Sequence, residues 1–169
     1  MIKSQKEILI ELSHRIHANP ELGFEEIKAS GWISEMLSSE GFRVEHGVAG
    51  LPTAIRATIG EGDFHIGICA EYDSLPGVGH ACGHNVIAAA AVGAAIGLRQ
   101  ILGHTNLKIT VFGTQAEEVG DGGVVVGGVG GEGGRGRGLG GLGMGGGGVD
   151  GEWRGVRGGG EGEGGGGVG

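Results

Sequence analysis

The chain has 169 residues, which suggests one domain, and residues 1–120 carry a formal charge of −6, from 8 Lys and Arg against 14 Asp and Glu, an excess of acid that argues against a nucleic-acid partner. No basic segment followed by an apolar run opens the chain, which argues against secretion, and the longest uncharged apolar run, Val86 to Leu98, is shorter than the roughly 18 residues that suggest a membrane span. We therefore expect a cytoplasmic protein that binds neither nucleic acid nor membrane, with Cys69 and Cys82 kept as thiols.

Glycine divides the chain into two stretches. Of the 44 glycines, 16 lie in residues 1–120 and 28 lie in the last 49 residues. We predict that residues 1–123 fold and that residues 124–169 form a low-complexity tail, either without a stable core or as the frameshifted or misread end of a reading frame. Only eight residue types occur after Gly120, and each of them has a codon that contains guanine. The tail has too few large apolar residues to offset the entropy of ordering it.

Three helices are predicted from apolar residues at helical spacing. The first covers residues 3–17 and ends at Asn19-Pro20, because the residue before a proline avoids the α region. The second is predicted from about Phe24 to Ser39, with its apolar residues roughly on one face and Gly41 as its C-terminal cap. The third runs from Asn85 to about Leu102, and its many small residues permit close packing on a sheet.

Four strands are predicted between these helices, at residues 42–45, 53–59, 65–70 and 107–112. His65 to Ala70 is almost continuously small or apolar, so we expect that strand in the interior of the sheet. The alternation of helices and strands indicates an α/β fold, a layered sheet with flanking helices. Ligands in such folds gather beyond the carboxyl ends of the strands.

One segment at such a position concentrates a thiol and two imidazoles. Gly79-His80-Ala81-Cys82-Gly83-His84-Asn85 lies before the third helix, and Cys82 and His84 are good ligands for zinc-like cations. The alternative is a buried apolar cysteine and a histidine that caps the helix.

Acidic residues follow two of the strands. Asp73 comes just after residues 65–70 and would hydrogen-bond the far nitrogen of a ligating histidine. Glu117 and Glu118 follow residues 107–112, so that one carboxylate would bind metal and the other would act as general base. The alternatives are a turn for Asp73 and a solvated loop for the two glutamates.

These segments together resemble the M20 family of metallopeptidases and amidohydrolases. The resemblance is closest to its Cys-Gly-His branch, which includes aminobenzoyl-glutamate hydrolases and dipeptidases related to peptidase M20 domain-containing protein 2. The matching signatures are His17-Ala18-Asn19-Pro20-Glu21-Leu22-Gly23-Phe24-Glu25-Glu26, Ala70-Glu71-Tyr72-Asp73-Ser74-Leu75-Pro76 continuing to Asn85, and Gly113-Thr114-Gln115-Ala116-Glu117-Glu118. Two positions depart from the common pattern: Gln115, where the family usually has proline, and Asn85, where many members have aspartate.

The resemblance implies an incomplete zinc-exopeptidase-like catalytic domain with two divalent metal ions, zinc or manganese, with cobalt as a further candidate. By similarity Cys82 would bridge the two ions, His84 and Glu118 would each bind one, Glu117 would be the general base and Asp73 would orient His84. The substrates would be N-acyl amino acids or dipeptides, and full-length relatives would be homo-oligomers. His17 and Glu21 receive no metal role.

The family site also needs two histidines from later in the chain, and the tail contains no histidine. We therefore expect an inactive amino-terminal fragment of such an enzyme. Two alternatives are a non-catalytic metal-binding module, for which Glu117 would be dispensable, and a Gly-rich interaction protein, which the net-negative tail does not favour.

Overall fold

A computed structural model describes residues 2–118 and 137–138, and all structural statements concern these residues. Three α-helices and five strands occur within them. The helices are α1 (Ile2–Ala18), α2 (Ile27–Ser39) and α3 (His84–Arg99), and the strands are β1 (Arg43–His46), β2 (Ile55–Ile59), β3 (Phe64–Glu71), β4 (Leu107–Thr114) and β5 (Arg137–Gly138). Two short 3₁₀ turns lie at Val48–Gly50 and Leu102–His104. The α/β fold with flanking helices is confirmed.

The strands form one mixed sheet in the order β1-β2-β4-β3-β5. β1 and β4 are each antiparallel to β2, whereas β3 runs parallel to β4 and to the short β5. β4 is therefore the strand with long neighbours on both sides, while β5 covers β3 only at Ile66 and Gly67. The strand expected in the interior, β3, is thus less enclosed than β4, which is buried along most of its length.

The main core lies between one face of the sheet and the helices. Because side chains alternate across a strand, Ile109 and Val111 of β4 point to the same face, where they are fully buried. Ile16 of α1, Ile33 of α2 and Val92 of α3 are fully buried in the same cluster. The helices thus cover the sheet and leave its carboxyl edge to be filled by loops.

The second helix begins three residues later than predicted. Phe24 has a φ of 70°, which is incompatible with a helix, so the apolar Ile27 becomes the first helical residue and is exposed rather than part of the buried face. The Glu21 carboxylate accepts hydrogen bonds from the N–H groups of Lys28 and Ala29, both at 3.0 Å. This cap comes from outside the helix and satisfies donors that the first turn leaves free.

The predicted cap at the other end of α2 is confirmed. Gly41 has a φ of 86°, and its N–H donates to the carbonyl of Ser38 at 3.0 Å. The N–H of Phe42 donates to the carbonyl of Leu37, also at 3.0 Å. This pair of bonds is the Schellman pattern, in which a left-handed glycine ends the helix and directs the chain into the next strand.

The expectation of an irregular tail without a stable core at residues 124–169 falls outside the described residues, except for the two residues of β5. It stays a prediction.

Candidate functional site

Three segments meet at the carboxyl edge of the sheet. In the parallel pair β3 and β4, Glu71 is the register partner of Thr114, so both strands end at the same level. The loop after β3 begins with Tyr72 and Asp73, and the loop after β4 carries Glu117 and Glu118. The amino end of α3 supplies His84, preceded by Gly83 at a φ of 87°. The topology therefore brings together side chains that are far apart in sequence.

Asp73 fixes the orientation of His84. The Asp73 side chain is fully buried, and its Oδ1 lies 2.9 Å from Nδ1 of His84. The backbone carbonyl of Asp73 lies 3.0 Å from the same nitrogen. The other carboxylate oxygen of Asp73 accepts a hydrogen bond from the N–H of Glu118 at 3.0 Å. One buried carboxylate thus holds both the imidazole and the loop that follows β4.

The remaining nitrogen of His84 faces carboxylates. Nε2 lies 3.6 Å from an oxygen of Glu71, 3.6 Å from an oxygen of Glu117 and 3.8 Å from an oxygen of Glu118. Cys82 completes the group, because the ligand atoms of Cys82, His84 and Glu118 lie within 4.8 Å of one another. The structure brings together all five residues that the sequence singled out for this site.

The cluster perturbs the pKa values of its members. Burial alone would lower the pKa of His84, but the hydrogen bond and charge of Asp73, helped by Glu71, raise that pKa to about 9. Burial would raise the pKa of Asp73, yet its hydrogen bonds from His84 and from the Glu118 N–H lower it. Burial also raises the pKa of Glu71; the charge of His84 acts against this rise, and the charges of the neighbouring acids add to it.

Cys82 is exposed at the rim of the cluster. Desolvation by its neighbours, followed by its hydrogen bond to Glu118, raises the pKa of Cys82 to about 11. Its thiol and the His84 imidazole are therefore protonated at neutral pH, and a cation must displace both protons to be bound by sulfur and nitrogen. Cys82 and Cys69 are not joined by a disulfide in the described residues.

The donor set suits a zinc-like cation. A thiol sulfur, an imidazole nitrogen and a carboxylate oxygen are the three ligand types that zinc binds most often, and here they lie close enough to share one ion. The second imidazole nitrogen is hydrogen-bonded to the backbone carbonyl of Asp73 and lies 2.9 Å from its carboxylate, and both kinds of group commonly support a ligating histidine. A cation would also offset the mutual repulsion of the surrounding acids.

Two residues of this region received no role from the sequence. Glu71 approaches Nε2 of His84 as closely as Glu117 does, and its position two residues before Asp73 at a strand end is a signal that was available. His80 is buried, and within the described part of the chain neither of its ring nitrogens has a hydrogen-bond partner. Its ring centroid lies 6.4 Å from that of His17, an exposed histidine of α1. Burial, followed by the charges of His17 and His84, lowers the pKa of His80.

Within the described residues, no helix has the length and apolar character needed to cross a membrane.

No family model matches the chain. The chain is 39% identical over 135 residues to the Xaa-Arg dipeptidase of Mus musculus, a match that covers 72% of the chain and 31% of the relative. It is 31% identical over 140 residues to one subunit of the p-aminobenzoyl-glutamate hydrolase of Escherichia coli, covering 72% of the chain and 29% of the relative. The chain spans about a third of the length of these curated relatives.

Comparison with a solved structure agrees with these sequence similarities. The YXEP protein of Bacillus subtilis, described as a dinuclear metal-binding peptidase from the M20 family, superposes with a TM-score of 0.68 and 28% sequence identity. This superposition covers 76% of the chain and 40% of the solved structure. The fold of the described residues is therefore that of part of such a protein.

Proposed function

We propose, from the similarity of its sequence and fold to the M20 family of peptidases and amidohydrolases, that the chain carries part of the active site of a metal-dependent hydrolase of amide bonds. The substrates are N-acyl amino acids or dipeptides. One observation carries the proposal above all others: Cys82, His84 and Glu118 place their ligand atoms within 4.8 Å of one another, beside the carboxylate of Glu117.

Cys82, His84 and Glu118 would be the protein ligands of two divalent cations, zinc or manganese with cobalt as a further candidate, and the Cys82 thiolate would be a ligand that both cations could share. Bound cations in such a site lower the pKa of water towards ~7 and polarise the amide carbonyl. Asp73 is a positioning residue, because it presents Nε2 of His84 to the cluster and holds the Glu118 backbone.

Glu117 is the proposed general base. Its side chain is 44% exposed, more than those of Glu71 and Glu118, and one of its oxygens lies 3.6 Å from Nε2 of His84. It is therefore close to the ligands and accessible to a water molecule. It takes a proton from the water and passes it to the leaving amine, a role that typically accelerates hydrolysis roughly 10²–10⁴-fold.

The three proposed protein ligands are too few to complete a site for two cations. We propose that the described residues are one part of the catalytic domain and that the 169-residue chain binds a cation without turnover. Further histidine ligands belong to the whole enzyme, which we propose is cytoplasmic and homo-oligomeric. The match to about a third of each curated relative supports this division.

A chimera tests the function. Residues 1–118 replace the corresponding segment of the mouse Xaa-Arg dipeptidase, and the product is assayed with Xaa-Arg dipeptides and by metal analysis. We expect hydrolysis, loss of metal in Cys82→Ala, and retained metal with a roughly 10²–10⁴-fold lower rate in Glu117→Gln. Glu61→Gln, an exposed acid in the loop before β3, is the control and should behave like the parent.

Two results would contradict the proposal. A folded chimera that binds metal and hydrolyses none of these dipeptides would remove the proposed activity. Full activity in Glu117→Gln would transfer the role of base to another residue.

A further inference from the structure

Glu26, at the amino end of α2, is a fully buried carboxylate that the roles assigned above do not use. Among the described residues it forms no ion pair; instead it accepts two hydrogen bonds. Its Oε2 accepts from the Thr53 hydroxyl at 2.8 Å, and its Oε1 accepts from the backbone N–H of Ala116 at 2.9 Å. Burial raises the pKa of Glu26, while these two hydrogen bonds lower it. A buried carboxylate is costly unless it is well bonded, so such a group is expected to have a specific task.

Its partner Ala116 has an unusual backbone. Ala116 is fully buried and has a φ of 56°, in the left-handed region that residues with a Cβ rarely adopt. Such a conformation persists only where the surroundings enforce it, and it often occurs where a functional group must be aimed. The hydrogen bond from the Ala116 N–H to Glu26 is one of the contacts that hold Ala116 in this conformation.

The turn that contains Ala116 is held at two points. The N–H of Ala116 is bound by Glu26, and the N–H of Glu118 is bound by Asp73. Glu117 lies between these two anchors. The two anchoring carboxylates come from different elements, since one precedes α2 and the other follows β3.

Thr53 links Glu26 to the other side of the cluster. The backbone carbonyl of Thr53 accepts a hydrogen bond of 2.6 Å from the hydroxyl of Tyr72, which is fully buried and directly precedes Asp73. Both anchors of the turn are thus connected through buried groups, and the hydrogen bond that reaches the turn from this side is accepted by Glu26.

We propose that Glu26 is a positioning residue that holds the turn at residues 115–118 through the N–H of Ala116, and so presents Glu117 and Glu118 to His84 and Cys82. The catalytic and metal-binding roles of Glu117 and Glu118 in this inference rest on the proposed function. The hydrogen bond by which Glu26 holds the turn is a property of the metal-free chain. The length of the Glu26 side chain is decisive, because its carboxylate must extend from the start of α2 to the loop after β4.

Two variants distinguish the effect of the Glu26 side-chain length from the effect of its charge. Glu26→Asp keeps the charge and withdraws the carboxylate by one methylene, about 1.5 Å, which is enough to break a hydrogen bond of this length. Glu26→Gln loses the charge and keeps the side-chain length. Its amide oxygen still accepts a hydrogen bond from Ala116, while the Thr53 hydroxyl accepts one from its NH₂ group. Glu25→Asp, an exposed neighbour, is the matched control.

The first readout is residue-resolved amide hydrogen exchange of the metal-free chain. We expect the amides of Ala116 and Glu118 to exchange at least tenfold faster in Glu26→Asp, and to stay close to wild type in Glu26→Gln and in the control. The Val111 amide in β4 should be unchanged in all three variants. Unchanged exchange at Ala116 in Glu26→Asp would overturn the proposal, and so would equal acceleration at Ala116 and Val111, which would indicate only a loss of overall stability.

The second readout is the absorption spectrum with Co²⁺ alone as the probe. We expect Glu26→Asp to lower Co²⁺ affinity roughly tenfold or more, to alter the d–d bands as Glu118→Ala does, and to keep the thiolate charge-transfer band of Cys82. Glu26→Gln should keep the wild-type spectrum. Loss of the thiolate band together with the d–d change would contradict an effect confined to the turn. If the wild-type chain takes up no Co²⁺, the proposed function fails, and the exchange data alone decide whether Glu26 holds the turn.

Discussion

Metal binding by this chain should release about two protons at neutral pH. The pKa values of His84 and Cys82 are raised to about 9 and about 11, so both groups carry a proton at pH 7. A cation binds imidazole and thiol only in their deprotonated forms. The apparent association constant should therefore rise about 100-fold per pH unit between pH 6.5 and 8, and about tenfold per unit between pH 9 and 11, where only the thiol still carries a proton.

Isothermal titration calorimetry with Zn²⁺, in buffers of different ionisation enthalpy, counts these protons directly. Cys82→Ser should release about one proton at pH 7, because its hydroxyl has no proton that a cation readily displaces. His104→Gln, at an exposed histidine on the second 3₁₀ turn, should leave the count at two. Release of close to zero protons by the wild-type chain, with a Zn²⁺ affinity that does not change from pH 6.5 to 8, would refute the reasoning.

Two further predictions concern the stability of the metal-free chain. Because the pKa of His84 is raised to about 9 in the folded state and is about 6.5 when unfolded, the protonated imidazole stabilises the fold fully below pH 6.5, and this stability, on the order of 3 kcal/mol, is lost as pH rises through 9. Urea unfolding at pH 6 and pH 9.5 measures it, and the same difference in Asp73→Asn would show that the Asp73 carboxylate is not its cause. Gly113→Ala should lower the free energy of unfolding by roughly 1–3 kcal/mol, because a Cβ there would clash with Ile55, whereas Gly31→Ala, with nothing within 4 Å on an exposed part of α2, should raise it by about 1 kcal/mol. A destabilised Gly31→Ala or a neutral Gly113→Ala would contradict the packing described for these positions.

Local rules predicted the elements whose ends are determined by neighbouring residues. Asn19-Pro20 ends α1 within a residue of the predicted position, and the left-handed Gly41 ends α2 as expected. The start of α2 was wrong because it depends on the carboxylate of Glu21, seven residues before the amide that it caps. No helical periodicity reports such a contact.

The site was accessible to sequence reasoning because strand ends converge. Asp73 and Glu118 follow two parallel neighbouring strands, so the fold class alone brings their loops to one edge of the sheet. Glu26 was not accessible in this way. Its partners Thr53 and Ala116 are 27 and 90 residues away, and a glutamate beside a helix start is ordinarily a solvated side chain. Only the folded chain reveals that this one is buried.

The central claim is that Cys82, His84 and Glu118 hold a divalent cation together. X-ray absorption spectroscopy of the Zn²⁺-loaded 169-residue chain tests it most directly. We predict one sulfur at about 2.3 Å with nitrogen and oxygen ligands at about 2.0–2.2 Å, a sulfur that is lost in Cys82→Ser and kept in the control Cys69→Ser. A zinc shell without sulfur, or one whose sulfur persists in Cys82→Ser, would contradict the assignment.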